Sequence, residues 1–143
     1  MTDVLARRSF RGLATSEAIE LVHDELDGLW QDAPIVQDID QMTFTTAVIE
    51  AASNIVQHAE PATALPVELG VEISVHAALL QARVSAFHAK PPFGPMEPVS
   101  ADDDSESGRG LALIQALVTT VTFERQDATN TWVLSRTPSA SAP

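Results

Sequence analysis

The chain has 143 residues, of which 45% are hydrophobic and 20% charged, and it carries a net charge of −12 without any cysteine. This length and composition predict one globular domain around a single core. The lack of cysteine excludes disulfides, thiolate metal sites and cysteine nucleophiles. An acidic chain with scattered basic residues is not expected to bind nucleic acid directly, and no apolar run is long enough to span a membrane. A cytoplasmic protein is therefore expected.

The first half of the chain predicts one strand and two helices. Residues 6–14 form a short mixed segment that indicates a strand. Ser16 follows at the start of a helix whose apolar residues recur at helical spacing until Pro34. A second stretch of helical periodicity covers residues 42–59, and Pro61 closes it.

The second half predicts two hairpins separated by a long loop and a helix. Residues 67–75 alternate strictly between apolar and polar, and a tight turn leads to a partner strand that runs through residues 84–87. Prolines and an acidic run dominate residues 90–108, a composition typical of a functional loop, here interpreted as a lid. A third helix then begins at a glycine pair, and residues 121–126 and 131–136 close the domain as strands.

This order of elements predicts an α+β fold. Paired strands with helices gathered between them indicate a two-layer sandwich, with the helices packed on one face of a mixed, mostly antiparallel sheet. We expect a single domain over residues 1–137, followed by a flexible tail at residues 138–143.

Two constellations could carry chemistry. Glu50 and Asn54 lie four residues apart and so share one face of the second helix, a stripe that His58 continues. Either they point to solvent, or the Asn54 amide oxygen binds a hard cation while Glu50 acts as a general base. The GRG sequence at residues 108–110 either binds phosphate through exposed backbone amides at a helix start or serves as a hinge of the loop. His58 is assigned no chemical role.

These segments resemble one family in the same order. IEAASNIVQHA is similar to the N box of the histidine-kinase-like (GHKL) ATPases, GRGLALIQAL to their lid helix, HAKPPFGP to their DxGxPFDP segment, and NTWVL to their closing strand. The likeness is to the anti-sigma factor serine kinases and related stand-alone domains, and it extends over essentially the whole chain. It implies the Bergerat-type ATP-binding fold with ATP and Mg²⁺ as cofactors.

The resemblance assigns roles to individual residues. It implies that Asn54 is the magnesium ligand and Glu50 the catalytic base. It also places six residues against the nucleotide, either along the lid segment or beside adenine: His88, Phe93, Gly108, Arg109, Gly110 and Thr131.

The chain departs from the family where adenine is read. With the register set by PPF, His88 replaces the aspartate that accepts the adenine amino group, and Lys90 replaces the following glycine. A neutral histidine can still accept one hydrogen bond, but a lost polar contact in a buried site costs about 1–3 kcal/mol.

The resemblance implies two kinds of protein. The first is an ATP-binding regulatory serine/threonine protein kinase that acts as an anti-sigma factor in partner switching. It would bind an anti-sigma antagonist or a sigma factor, and the resemblance also allows a homodimer. The alternative is a non-catalytic GHKL-fold module that sequesters a regulatory partner without tight ATP binding. The intact Glu50 and Asn54 favour the kinase, whereas His88 and Lys90 favour the alternative.

Overall fold

The computed structural model describes residues 4–92 and 109–139 of the chain. They form five strands and three helices in the order β1 (Val4–Leu13), α1 (Ser16–Asp32), α2 (Asp38–His58), β2 (Glu68–His76), β3 (Leu79–Phe87), α3 (Arg109–Leu117), β4 (Thr120–Gln126) and β5 (Thr129–Arg136). The predicted α+β fold is confirmed, and each element lies within a few residues of its predicted position.

The strands form one sheet in the order β1-β2-β3-β5-β4, and every pairing among them is antiparallel. The β2 alternation seen in the sequence divides the sheet into two faces. Leu69, Val71, Ile73 and Val75 are at most 1% exposed and face the helices, whereas Glu72 is exposed on the other side. We call that other side the helix-free face.

The core lies between the inner face of the sheet and the apolar faces of the helices. In α1 the buried side chains recur at helical spacing. Those of α2 follow the same spacing and include Phe44. Trp30 of α1 packs edge-on against Phe44 with ring centroids 6.0 Å apart, and its indole N–H donates to Thr45 Oγ1 over 3.0 Å. These contacts fix α1 along one flank of α2, and α3 packs against α2 as well.

A buried ion pair joins the start of α2 to the end of β5. The Asp40 carboxylate is 0% exposed and accepts hydrogen bonds from Arg136 Nε and Nη2 at 3.1 and 2.9 Å. Arg136 also donates to the carbonyl of Leu117, the last residue of α3. The backbone N–H of Ser139 donates to Asp40 as well, so the ordered chain continues past the predicted end at residue 137. Residues 140–143 of the predicted tail lie outside the described part.

The β4–β5 connection is tighter than the sequence indicated. Only Asp127 and Ala128 separate the strands, with φ angles of 52° and 61°. Two central residues with positive φ are typical of a type I′ turn, whose twist matches that of a hairpin. Among the described helices, none is both long and apolar enough to cross a membrane.

Candidate functional site

Asn54 is the clearest polar anomaly of the helical layer. It lies about one turn before the end of α2 at His58 and is 9% exposed. Its side chain makes no hydrogen bond with a described residue. Its amide atoms are not fully enclosed without a partner, since within the described residues the one such side-chain atom is His76 Nδ1. The amide therefore borders the core and is open to a ligand. Glu50 lies one turn earlier, is half-buried, and forms no ion pair within the described chain.

The position of Asn54 around α2 places it on the flank away from α1. Thr45 marks the α1 side through its bond with Trp30, and nine residues of helix turn the chain by about 180° between Thr45 and Asn54. Because α3 also packs against α2, Asn54 and Glu50 belong to the side of the helical layer that α3 completes. The structure therefore supports the buried interpretation of Asn54 over the solvent-facing one.

Gly110, one of the two glycines predicted to face phosphate, lies at the start of α3. Arg109 and Gly110 form the first turn of this helix, where backbone N–H groups have no partner inside the helix. The side chain of Arg109 is not described. Phe93, Gly108 and most of the predicted lid lie outside the described residues. For these positions the assigned contacts stay predictions.

His88, predicted to stand in for the missing aspartate, has its side chain near Glu68. Its φ of 60° is in the left-handed region, and its Nε2 lies 3.7 Å from Glu68 Oε2. The same Glu68 carboxylate accepts a hydrogen bond from Arg11, whose guanidinium stacks on Phe87 of the helix-free face at 3.7 Å. The described contact of the imidazole is thus with Glu68, the first residue of β2, on the helix-free face.

Thr131 lies on the opposite face of the sheet from α2, which does not fit its predicted contact with adenine. Its Oγ1 is 2.8 Å from Ser85 Oγ, and the two residues are paired across β3 and β5 on the helix-free face. The neighbours Asn130 and Trp132 point inwards and are 1% and 4% exposed. Strand alternation around the large apolar Trp132 is the sequence signal that would have placed Thr131 outwards.

Two residues that the sequence did not single out fix the chain beyond β3. Asn130 Nδ2 donates to the Lys90 carbonyl at 2.7 Å, and Arg125 Nη1 donates both to the Ala89 carbonyl at 3.0 Å and to Asn130 Oδ1 at 2.6 Å. Nothing in their local sequence indicates this role, because the two carbonyls that they bind are 36 and 40 positions away in the chain.

The comparison with known proteins identifies the family. The family model of the histidine kinase-like ATPase domain matches residues 9–136, and the chain belongs to that family. Domains of this family bind ATP, usually with Mg²⁺. Among curated proteins, the sequence comparison finds no match.

The residues present fit Mg²⁺ better than they fit the adenine ring of ATP. Mg²⁺ prefers oxygen ligands and is usually held by one or two protein groups together with substrate phosphates and water. The Asn54 amide oxygen, which bonds to no described residue, is a ligand of this kind. A cluster of three His, Asp or Glu residues, which is absent from the described chain, is not required. By contrast, neither His88 nor Thr131 offers its side chain to the inner face of the sheet.

Proposed function

We propose that this protein is an ATP-binding regulatory serine/threonine protein kinase that acts as an anti-sigma factor in a partner-switching pathway of the cytoplasm. The observation that carries the proposal is the largely buried Asn54, whose side chain bonds to no described residue, with Glu50 one helical turn before it. Membership of an ATPase family gives this pair a natural ligand, magnesium-bound ATP.

In this proposal each residue has one task. The Asn54 amide oxygen would hold Mg²⁺, and the carboxylate of Glu50 would accept the proton of a partner's serine hydroxyl. The serine oxygen would bond to the γ-phosphorus of ATP while the bond from that phosphorus to the ADP oxygen breaks and ADP leaves. Bound Mg–ATP supplies the phosphoryl group and neutralises charge on the phosphates. The backbone N–H groups at the start of α3, at Arg109 and Gly110, donate to phosphate oxygens, and the Arg109 guanidinium adds positive charge.

Calorimetric titration with ATP and Mg²⁺ tests the nucleotide part. We expect the parent protein to bind, Asn54→Ala to lose at least tenfold in affinity, and the control Gln57→Ala, an exposed residue on the same helix, to bind as the parent does. Heat that is absent with the parent, or unchanged in Asn54→Ala, would contradict the proposal.

The role of Glu50 is tested separately from binding. Glu50→Gln keeps the size of the side chain but removes its basicity, so we expect ATP affinity within about threefold of the parent and formation of ADP reduced at least a hundredfold. Equal ADP formation by parent and variant would rule out a base at this position.

We also propose that the regulatory partner is a protein, without direct nucleic-acid or membrane binding. The α1–α2 connection and the first turns of α2 expose three large apolar side chains, Ile35, Ile39 and Met42. Asp38 lies beside them and forms no ion pair with a described residue. Contiguous exposed apolar residues with a charged rim are typical of protein contacts. A charge-reversing variant of Asp38 combined with Met42→Glu is expected to abolish capture of an antagonist or sigma factor while ATP binding persists.

A homodimer is proposed through the edge strand. β1 is the outer strand of the sheet and exposes Val4, Leu5 and Leu13. An edge strand with unpaired backbone groups is a template for pairing with another chain. Sedimentation velocity over a range of concentrations should show a monomer–dimer equilibrium that Leu5→Lys shifts to the monomer, and a parent that stays monomeric would exclude this interface.

A second candidate is the non-catalytic binding module, and one observation favours it. The two positions expected to read adenine, His88 and Thr131, engage Glu68 and Ser85 instead. A parent protein that gives no heat with ATP and Mg²⁺, yet binds a regulatory partner with the same affinity whether or not ATP is added, would establish this alternative.

A further inference from the structure

The C-terminal hairpin holds the chain at the point where it leaves β3. The carbonyl oxygens of Ala89 and Lys90 accept hydrogen bonds from Arg125 and Asn130, and these two side chains also bond each other. We call this set, Arg125 and Asn130 with the two carbonyls, the corner clamp. Both polar atoms of the Asn130 side chain take part in it, because its amide nitrogen donates to the Lys90 carbonyl and its oxygen accepts from Arg125.

Backbone hydrogen bonds connect the corner clamp to the end of α2. The N–H of Ala89 donates to the carbonyl of Ala128 in the β4–β5 turn, and the N–H of Lys90 donates to the carbonyl of Glu60. The N–H of Ala62 donates in turn to the carbonyl of His88. Residues 88–90 are therefore held between the β4–β5 hairpin and the segment that follows the last turn of α2.

We propose that Arg125 and Asn130 are positioning residues of the nucleotide site, an inference that rests on the proposed function. They fix residues 88–90 against the C-terminal end of the helix that carries Asn54 and Glu50. The His88 side chain is turned to Glu68, whereas the β4–β5 hairpin binds the backbone of the residues that follow. Arg125 and Asn130 act through the backbone of residues 88–90 and touch no reacting atom.

The chemistry of the corner clamp explains why its loss is felt locally. Asn130 is 1% exposed, so its removal leaves the part-buried Lys90 carbonyl without this donor. Leaving a buried polar group unpaired is more costly than the bond itself is stabilising. Residues 88–90 then gain alternative positions, and a ligand must order them again when it binds.

Hydrogen exchange of backbone amides tests the clamp without any ligand. In Asn130→Ala, the amides of Ala62, Ala89 and Lys90 should exchange about tenfold faster than a change in global stability explains. The amides of Val71 and Ile73 in the centre of β2 should change only as much as the global stability does. Arg125→Gln, at an exposed position on the edge strand, provides a second variant that is expected to fold. Exchange that rises equally at all five amides, or at none, would overturn the proposal.

Titration of the same variants with ATP and Mg²⁺ then tests the positioning role. We expect Asn130→Ala and Arg125→Gln to bind about tenfold more weakly, Arg125→Lys to recover part of the loss, and the control Arg83→Gln to bind as the parent does. Arg83 lies on the helix-free face, so its replacement removes the same charge without touching residues 88–90. Faster local exchange with unchanged ATP affinity would overturn the positioning role.

The two experiments separate this inference from the proposed function. Should the parent chain itself fail to bind ATP, the proposed function and the positioning role both fall. The exchange data on the parent and Asn130→Ala still decide in that case whether the hairpin holds residues 88–90.

Discussion

At the scale of single residues, backbone conformation decides what the sequence pattern could not show. Three described residues other than glycine have a positive φ: His88, Asp127 and Ala128. The first sends the imidazole towards Glu68, and the other two form the turn between β4 and β5. Aligning HAKPPF with the family segment predicted which residue stands in for the aspartate, but side-chain direction depends on a dihedral angle that composition and spacing do not reveal.

Replacing Ala128 in this turn is expected to make the protein more stable. An alanine at a φ of 61° has its Cβ close to backbone atoms, a strain that glycine does not have. We expect Ala128→Gly to raise the free energy of unfolding by about 0.5–1 kcal/mol, measured by urea denaturation with an unchanged m-value.

The β2–β3 hairpin offers a matched control for this substitution. Ala78 also lies in a two-residue connection, but its φ is not positive. Ala78→Gly should therefore lower stability or leave it unchanged, because glycine only adds freedom to the unfolded chain there. Equal stabilisation by both substitutions would show that turn strain is not the cause.

At the scale of elements, patterns within a segment were informative and contacts between segments were not. The alternation in β2 and the helical period of α2 predicted which side chains are buried, because burial follows from periodicity. The pair of Asp40 and Arg136 joins residues 96 positions apart, and the corner clamp joins β4 and β5 to residues beyond β3. Such pairs depend on how strands are ordered in the sheet, which the sequence does not state.

The same distinction applies to the candidate site. Glu50 and Asn54 could be predicted as a pair because a helix places residues four apart on one face. Thr131 was assigned from its place in a motif, although alternation around Trp132 points it to the helix-free face. Motif likeness gave the position along the chain, and only the strand pairing gave the face.

Asp40 anchors the junction of α2, α3 and β5, and its loss should be costly. Asp40→Ala leaves Arg136, whose side chain is 18% exposed, without its counter-ion and removes the acceptor for Ser139. Removing one member of a buried ion pair typically destabilises by about 3–5 kcal/mol. We expect a loss of this size in urea denaturation.

Asp38 provides the comparison on the same helix. It lies in the first turn of α2, is exposed, and interacts favourably with the helix dipole. Asp38→Ala should cost only about 0.3–1 kcal/mol. A loss for Asp40→Ala no larger than that for Asp38→Ala would contradict the anchoring role.

At the scale of the whole molecule, one core connects the helical layer with the sheet and predicts a single unfolding transition. Trp30 packs on Phe44 between the helices, and Trp132 packs on Phe123 of the sheet at a centroid distance of 5.1 Å. The variants Trp30→Phe and Trp132→Phe each leave one fluorophore, one reporting on the sheet and the other on the helices. For each variant, fluorescence and far-ultraviolet circular dichroism should give the same urea midpoint, and a difference between the two probes would indicate layers that unfold separately.

Paramagnetic Mn²⁺ in place of Mg²⁺ shows where a metal–nucleotide complex binds on this molecule. With ATP present and Mn²⁺ added in small steps, the NMR signals of the Asn54 side-chain amide and of backbone amides near Glu50 should broaden first, and those of Ser85 and Thr131 later. Broadening that begins at Ser85 and Thr131 on the helix-free face, or that is the same in Asn54→Ala, would contradict the account.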